Sequence, residues 1–389
     1  MSADPGRRTR VAILFGGRSA EHDVSRVTAV AVAKALDPSR YEVVPVAITT
    51  DGQWLFADEA RRAIEAGPAA LPPAFAVAGD PVADLGDRIA RGAAAAAPAT
   101  TGAGSRLDVD VVIPLLHGPY GEDGTVQGLL ELAALPYVGS GVIGSAVGMD
   151  KVMMKRAFAA CELPTPRHRV FRDGHDVSAF RDHVEAELGY PCFVKPANLG
   201  SSVGVSKASE RTALDEALAL ALGFDEWVIV EEAIAGREIE VAVLGDDPPE
   251  ASLPGEIVPA GDFYSYADKY ERDDAELRTP APLTPEQTDE VRALAVRAFE
   301  ACRCEAMARV DFFLHEGEGH EGEGEERGAG RGFLVNEVNT IPGFTPISMY
   351  PRLWELSGLP YPNLLDRLIE LALERHERRT RRAGRQRGE

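Results

Sequence analysis

The sequence predicts a mixed protein, α/β at its N-terminal end and α+β beyond it. Three observations predict this. A buried strand, a helix and a second strand follow one another between residues 10 and 48. Short apolar runs then recur down the chain and end in glycine-rich turns, as buried strands do. Near the C-terminal end, the apolar strands Arg309–Phe313 and Phe333–Val338 are separated by a Gly/Glu-rich segment and can pair as a hairpin. The 389 residues allow two or three domains, and 45% hydrophobic with 26% charged residues is an ordinary globular balance.

Taken in order, Arg10–Phe15 reads as a buried parallel strand ending at Gly16-Gly17. A helix over Val24–Leu36 follows, with Val24, Val27, Ala31 and Ala35 along one stripe, and Tyr41–Ile48 is the second strand of a βαβ unit. This opening has neither GxGxxG nor GxxxxGK[ST], which excludes a dinucleotide fingerprint and a P-loop there. Residues 57–107 carry little signal, and their Ala/Gly/Thr-rich part reads as a surface loop. Val109–Leu116 is another buried strand, ending in His117-Gly-Pro-Tyr-Gly-Glu-Asp-Gly124. A helix over Thr125–Ala134, a short strand at Tyr137–Gly139 and a glycine-punctuated turn lead to a helix from Met149-Asp150-Lys151 through Cys161.

The next unit has strands at Cys192–Pro196, Val203–Ala208 and Trp227–Ile234 and a helix at Arg211–Leu222. Arg237–Leu244 alternates, with Glu238, Glu240 and Ala242 on one face. A helix spans Pro285–Ala301. The hairpin strands come next, interrupted by the charged, low-complexity insert His315–Gly332, which reads as a mobile tip. Tyr361–Arg375 closes the chain as an amphipathic helix, and the arginine-rich tail reads as frayed.

Composition narrows function. A net charge of −21 argues against broad nucleic-acid binding. Cys161, Cys192, Cys302 and Cys304 have no zinc-site spacing, which fits a reduced cytoplasmic protein. No apolar signal segment or membrane-length run is present, so neither export nor a membrane partner is expected.

Several segments carry chemistry. Asp311, Glu337 and Asn339 would meet on one face of the predicted hairpin, a hard-oxygen set suited to Mg2+. Acidic residues on a strand face also read as solvated. Lys195-Pro-Ala-Asn-Leu-Gly-Ser-Ser-Val-Gly204 puts a lysine, two serines and backbone amides between two strands, as an anion nest does, though a plain hairpin has the same outline. Glu21 follows the first strand end, where open α/β sheets bind ligands, or it serves only the helix dipole. Asp262-Phe-Tyr-Ser-Tyr-Ala-Asp-Lys-Tyr270 reads as a water-excluding lid or as a core edge.

The stretch NEVNTIPGFTPISMYP resembles the C-terminal signature of D-alanine–D-alanine ligases, in the ATP-grasp superfamily. The resemblance runs in order from about Val11 to Pro362, with gaps at 57–107 and 315–332. It implies a three-domain ATP-grasp architecture: a Rossmann-like pre-ATP-grasp domain over 1–149, a central subdomain over 150–234, a C-terminal subdomain over 235–375 and a basic tail over 376–389. It implies ATP-dependent ligation of two D-alanines through a D-alanyl phosphate, for peptidoglycan precursors, by a cytoplasmic homodimer using a pair of Mg2+ or Mn2+ ions. The alternatives are a different second substrate such as D-Ser, or a catalytically silent ATP-binding regulator.

By the same resemblance, Asp311, Glu337 and Asn339 hold metal. Lys151, Lys195, Ser202, Glu231, Glu232, Ala233, Ile234, Glu238 and Phe313 bind ATP, with Glu231–Ile234 as a hinge whose free backbone groups hold adenine and Glu238 on the ribose. Glu21 holds the first ammonium and joins Ser201 and Tyr270 in a hydrogen-bonded trio. His117 contacts the first substrate. Arg309 and the Gly343 amide stabilise the oxyanion, and Ser348, Met349 and Lys269 fix the second carboxylate. Tyr270 implies an amine as second substrate, while Ser265 stands where the family's lid usually has Asp.

Overall fold

The computed structural model describes residues 7–19, 21–52, 54–55, 109–259, 276–317 and 330–387. The loop expected at 57–107, the aromatic stretch 262–270 with Lys269 and Tyr270, and residues 318–329 of the charged insert lie outside them.

The first sheet contains β1 (Thr9–Gly16), β2 (Tyr41–Ile48), β3 (Trp54–Leu55) and β4 (Val111–Pro114), in the order β3-β2-β1-β4. β1 runs parallel to both β2 and β4. Val11, Ala12 and Ile13 are fully buried, so from Val11 onward β1 is apolar on both faces rather than alternating. Helix α1 (His22–Ala35) packs on β1, but its buried face is Ser25, Ala29, Val32 and Leu36, one position round from the expected stripe. Val27 is 39% exposed. The reason is polar. The Ser25 hydroxyl accepts from the Gly16 amide at 2.8 Å and donates to the Leu115 carbonyl, so a serine sits where apolar periodicity placed a valine.

Helix α2 (Thr125–Leu132) follows, and Tyr137 makes only an isolated bridge with Val112. The glycine-punctuated segment before Lys151 is a helix, α3 (Val142–Met149), not a turn. Its glycines serve close packing. A Cβ at Gly144 would lie 2.6 Å from the Arg303 carbonyl oxygen, and one at Gly148 would lie 2.8 Å from Thr340 Cγ2. Helix α4 (Lys151–Ala160) starts at Asp150, whose carboxylate accepts from the Met153 amide at 2.9 Å.

The second sheet has β5 (His168–Arg172), β6 (Cys192–Pro196), β7 (Ser206–Ala208) and β8 (Trp227–Glu232) in the order β5-β8-β6-β7, all antiparallel. Helices α5 (Val177–Glu187) and α6 (Arg211–Leu222) supply apolar faces to its core. β5 buries only Phe171, too thin a pattern to read as a strand in advance.

The third sheet holds β9 (Arg237–Gly245), β10 (Glu250–Ala251), β11 (Gly255–Val258), β12 (Glu276–Arg278), β13 (Ala306–His315) and β14 (Gly332–Asn339). Its order is β12-β11-β9-β13-β14, with β10 on β9. The expected hairpin is present: Arg309 pairs with Asn339 and Asp311 with Glu337. As register partners the two carboxylates share one face, and a bulge after Asp311 leaves Asn336 unpaired. Helix α7 (Pro285–Ala301) begins with a capping box of Thr284 and Gln287.

The segment after the hairpin forms helix α8 (Met349–Leu356). The closing helix α9 runs Tyr361–Arg387, so the expected frayed tail after Arg375 is helical. Arg375 anchors it. This residue is 3% exposed, lies 4.4 Å over the Tyr137 ring and donates to the Tyr137 and Gly139 carbonyls. Arg378 pairs with Asp246, and Arg379 with Glu131 and Glu305. No helix among the described residues is long and apolar enough to cross a membrane.

Candidate active site

Three loops converge on Glu21. Glu21 stands just before α1 and is 8% exposed, and its carboxylate accepts from the Ser201 hydroxyl, 180 residues away in sequence. A Cβ at Gly118 would lie 3.2 Å from Glu21 Oε2, and one at Gly200 would lie 3.4 Å from it. Glycine at these positions leaves room around the carboxylate. Ser19 donates to the His117 carbonyl at 2.6 Å and ties the β1 end to the His117 turn. His117 is 5% exposed, and its Nε2 meets no hydrogen-bond partner among the described residues. Burial pushes the His117 imidazole down, and the nearby Glu21 carboxylate only partly opposes this. Glu122 accepts from the Gly118 amide at 2.6 Å. Burial, with Glu21 adding to it, pushes the Glu122 carboxyl up to about 8, so it keeps its proton at neutral pH.

Ser201 also belongs to the glycine loop after β6. Ser201 and Ser202 have φ of 50° and 59°, left-handed values unusual for side-chain-bearing residues. Such strain costs on the order of 1–3 kcal/mol per residue and points to a loop shaped for a ligand. Asn198 fixes the stem: its amide and Nδ2 donate to Asp225 Oδ2 at 2.9 and 3.0 Å. The Lys151 ammonium donates to the Leu199 carbonyl, and its amide donates to the Ala197 carbonyl at 3.0 Å. The structure thus brings Lys151, Ser201 and Ser202 together at one loop.

Behind this loop lies a buried charge cluster. Glu231 on β8 is 2% exposed and takes Lys195 Nζ at 2.6 Å on one oxygen and Lys155 Nζ at 3.0 Å on the other. Burial alone pushes the Glu231 carboxyl up. The two ammonium groups outweigh it and hold the group well below the usual carboxylate range. Glu232 turns away and pairs with Arg167 and Arg331. Two of the hinge amides are not free as expected: Glu232 donates to the Arg167 carbonyl at 3.0 Å and Ala233 to that of Pro191 at 3.2 Å. β8 is an inner strand, so both its edges are paired. Ile234 follows β8, and Glu238 on β9 lies opposite Phe313 on β13.

The hairpin face carries the last group. Arg309 grips Asp311 with two hydrogen bonds of 2.7 Å and lies 3.1 Å from Glu240. Asn339 Nδ2 donates to Asp311 Oδ2 at 2.9 Å, and Glu337 is Asp311's register partner. Among the described residues, no three His, Cys, Asp or Glu side chains come together as a metal site. The predicted set is two carboxylates and one amide oxygen, which fits a small hard cation completed by water and phosphate oxygens. Beyond β14, Ser348 precedes α8 and its hydroxyl bonds Thr345 Oγ1 at 2.7 Å. A Cβ at Gly343 would lie 3.1 Å from that hydroxyl. The Met349 amide opens α8, and a helix N-terminus suits a carboxylate.

Sequence reading missed Lys155, Glu122 and Glu240. Lys155 sits one helical turn after Lys151 and Glu122 lies inside the His117–Gly124 turn, so both had a signal. Glu240 shares its strand face with Glu238.

Comparison with known proteins bears on this arrangement. Residues 10–140 match the family model described as D-ala D-ala ligase N-terminus, and residues 157–370 match D-ala D-ala ligase C-terminus. A D-alanine–D-alanine ligase from Geobacillus kaustophilus is 47% identical, over 95% of this chain and 96% of the relative. One from Streptomyces avermitilis is also 47% identical, over 95% and 96%. Among solved structures, the D-alanine-D-alanine ligase from Coxiella burnetii superposes with a TM-score of 0.77 at 34% identity, covering 98% of this chain and all of that one. The VanG D-Ala:D-Ser ligase from Enterococcus faecalis gives 0.75 at 31% identity, over 94% of this chain and 100% of that one.

Proposed function

This chain belongs to the D-alanine–D-alanine ligase family and has its ATP-grasp fold, and on that premise we propose how its own residues carry the reaction. It is an enzyme that joins two D-alanine molecules with ATP, a step in making peptidoglycan precursors. The observation that carries the assignment of residues is the convergence of Gly118, Gly200 and Ser201 on the Glu21 carboxylate, beside the strained serines.

The first D-alanine binds with its ammonium on Glu21, next to neutral His117 and protonated Glu122. Lys151, Lys195 and the amides of the glycine loop, Ser202 among them, hold the ATP phosphates. Adenine lies at the end of β8, against Glu231–Ile234 and Phe313, and Glu238 binds the ribose. Asp311, Glu337 and Asn339 hold Mg2+ or Mn2+, which when bound neutralises charge on the phosphate oxygens. A carboxylate oxygen of the first D-alanine attacks the γ-phosphorus and ADP leaves. The second D-alanine, its carboxylate on Ser348, the Met349 amide and Lys269, attacks the acyl phosphate carbon through its neutral amine. Inorganic phosphate leaves and the amine loses a proton. Arg309 and the Gly343 amide stabilise the developing oxyanion. Tyr270 completes the Glu21–Ser201 trio and helps exclude water from the acyl phosphate. The enzyme works in the cytoplasm as a homodimer.

Two experiments test this reading. D-alanine labelled with 18O in its carboxylate should pass one label into released phosphate, and unlabelled phosphate would exclude an acyl phosphate. Asp311→Asn and Glu337→Gln should abolish Mn2+ binding to the nucleotide-loaded protein seen by electron spin resonance. Unchanged binding would move the metal elsewhere.

A further inference from the structure

A lysine buried as deeply as Lys155 is rare unless it is paired. It is 1% exposed on α4, and its ammonium reaches two different sheets. It lies 3.0 Å from Glu231 Oε1 on β8 and donates to the Asn336 carbonyl on β14 at 2.8 Å. Glu231 therefore has two ammonium partners, because Lys195 on β6 holds its other oxygen at 2.6 Å. Glu337 also acts on both ammonium groups and Glu238 on Lys195, but Glu231 is where the two lysines meet, one on each oxygen.

The two lysines are not equivalent. Lys155 is locked by Glu231 and by a strand carbonyl. Lys195 is more open, at 13% side-chain exposure against 1% for Lys155, and stands at the start of the glycine loop. If Lys195 were the sole partner of Glu231, moving it toward a phosphate would strip a buried carboxylate of its cation, which is strongly unfavourable.

We propose that Lys155 is a positioning residue that stays on Glu231 as its permanent counter-charge and so frees Lys195 to bind a nucleotide phosphate. This rests on the reading above that Lys195 contacts phosphate. Lys155 itself touches no substrate. It acts through Glu231 and Lys195, so removing it traps Lys195 on Glu231.

The test compares ATP with adenosine, which shares the base and ribose but has no phosphate for Lys195. Affinities are read by calorimetric titration of the full-length protein. Lys155→Met should weaken ATP by about tenfold or more, the scale of one charge-assisted contact, and leave adenosine within about threefold. The double variant Lys155→Met/Glu231→Gln removes both the trap and its release. It should keep the ATP-to-adenosine affinity ratio within about threefold of the parent. The double variant removes one cation and one anion together and leaves an amide oxygen that can still accept from Lys195, so it decides the matter even if Lys155→Met does not fold. Equal losses of ATP and adenosine in Lys155→Met, or a double variant whose ratio falls tenfold, would make Lys155 a strut between sheets and overturn the proposal. Lys195→Met separates the premise: an unchanged ratio there would show that Lys195 does not read phosphate, and the proposal would fall with that reading rather than on Lys155.

Discussion

Replacing Arg309 by methionine tests the reaction centre in a way that separates chemistry from stability. The guanidinium makes two 2.7 Å bonds to Asp311 and lies 3.1 Å from Glu240, which is Asp311's register partner across β9. Burial pushes the Arg309 guanidinium down, but Asp311 and Glu240 outweigh it and raise it well above its ordinary value, so it is a fixed cation. Methionine keeps the stem and removes the charge. The rate should then fall by about 10²–10³, the usual effect of losing one oxyanion donor. ATP affinity should change by less than about threefold, because Arg309 is not assigned to the nucleotide. Stability should fall by about 2–4 kcal/mol, somewhat below the cost of breaking a fully buried pair because the Arg309 side chain is 18% exposed.

Phosphate-release assays give kcat and calorimetry gives ATP affinity. A variant with kcat within about threefold of the parent would refute Arg309's role at the oxyanion. Arg309→Lys should fall between, since it restores charge without the two-pronged grip.

Other outcomes follow from the same geometry. Ser201→Ala removes a hydroxyl bound to a carboxylate and should raise the D-alanine KM by about tenfold or more, leaving the ATP KM nearly unchanged. Glu122, raised to about 8, holds a proton in the folded chain that the unfolded chain releases near pH 4.5. The parent therefore loses stability as pH rises between those values, and Glu122→Gln should flatten that slope in melting scans. Arg375→Ala leaves the Tyr137 and Gly139 carbonyls without their donor and should destabilise by about 2–4 kcal/mol by urea unfolding, with kcat of the folded fraction unchanged.

The sequence carried the hairpin strands better than it carried the helices. The hairpin was legible because Arg309, Asp311 and Phe313 alternate, and because only pairing could place them near Glu337 and Asn339. The bulge after Asp311 was not legible, since nothing in the local pattern marks an unpaired Asn336. The α1 stripe was misplaced because Ser25 is polar yet buried by hydrogen bonds that apolar periodicity does not count. Helix α3 was hidden by glycines that normally mark turns but here admit the Arg303 and Thr340 atoms. The free hinge amides were inferred from a strand end, and β5, whose preceding residue Arg167 engages one of them, was too weakly apolar to foresee. The excess of arginine after Arg375 suggested a loose tail, whereas tertiary partners such as Asp246 and Glu305 hold it in α9.

The central claim is tested most directly by phosphate release from ATP and Mg2+ with D-alanine, L-alanine, D-serine or D-lactate, with product masses read alongside. The account predicts release with D-alanine and the mass of the D-alanyl-D-alanine dipeptide, and none with L-alanine or with D-lactate as the only added acceptor. Release without the dipeptide mass, or a product that takes D-serine in preference to D-alanine, would contradict it.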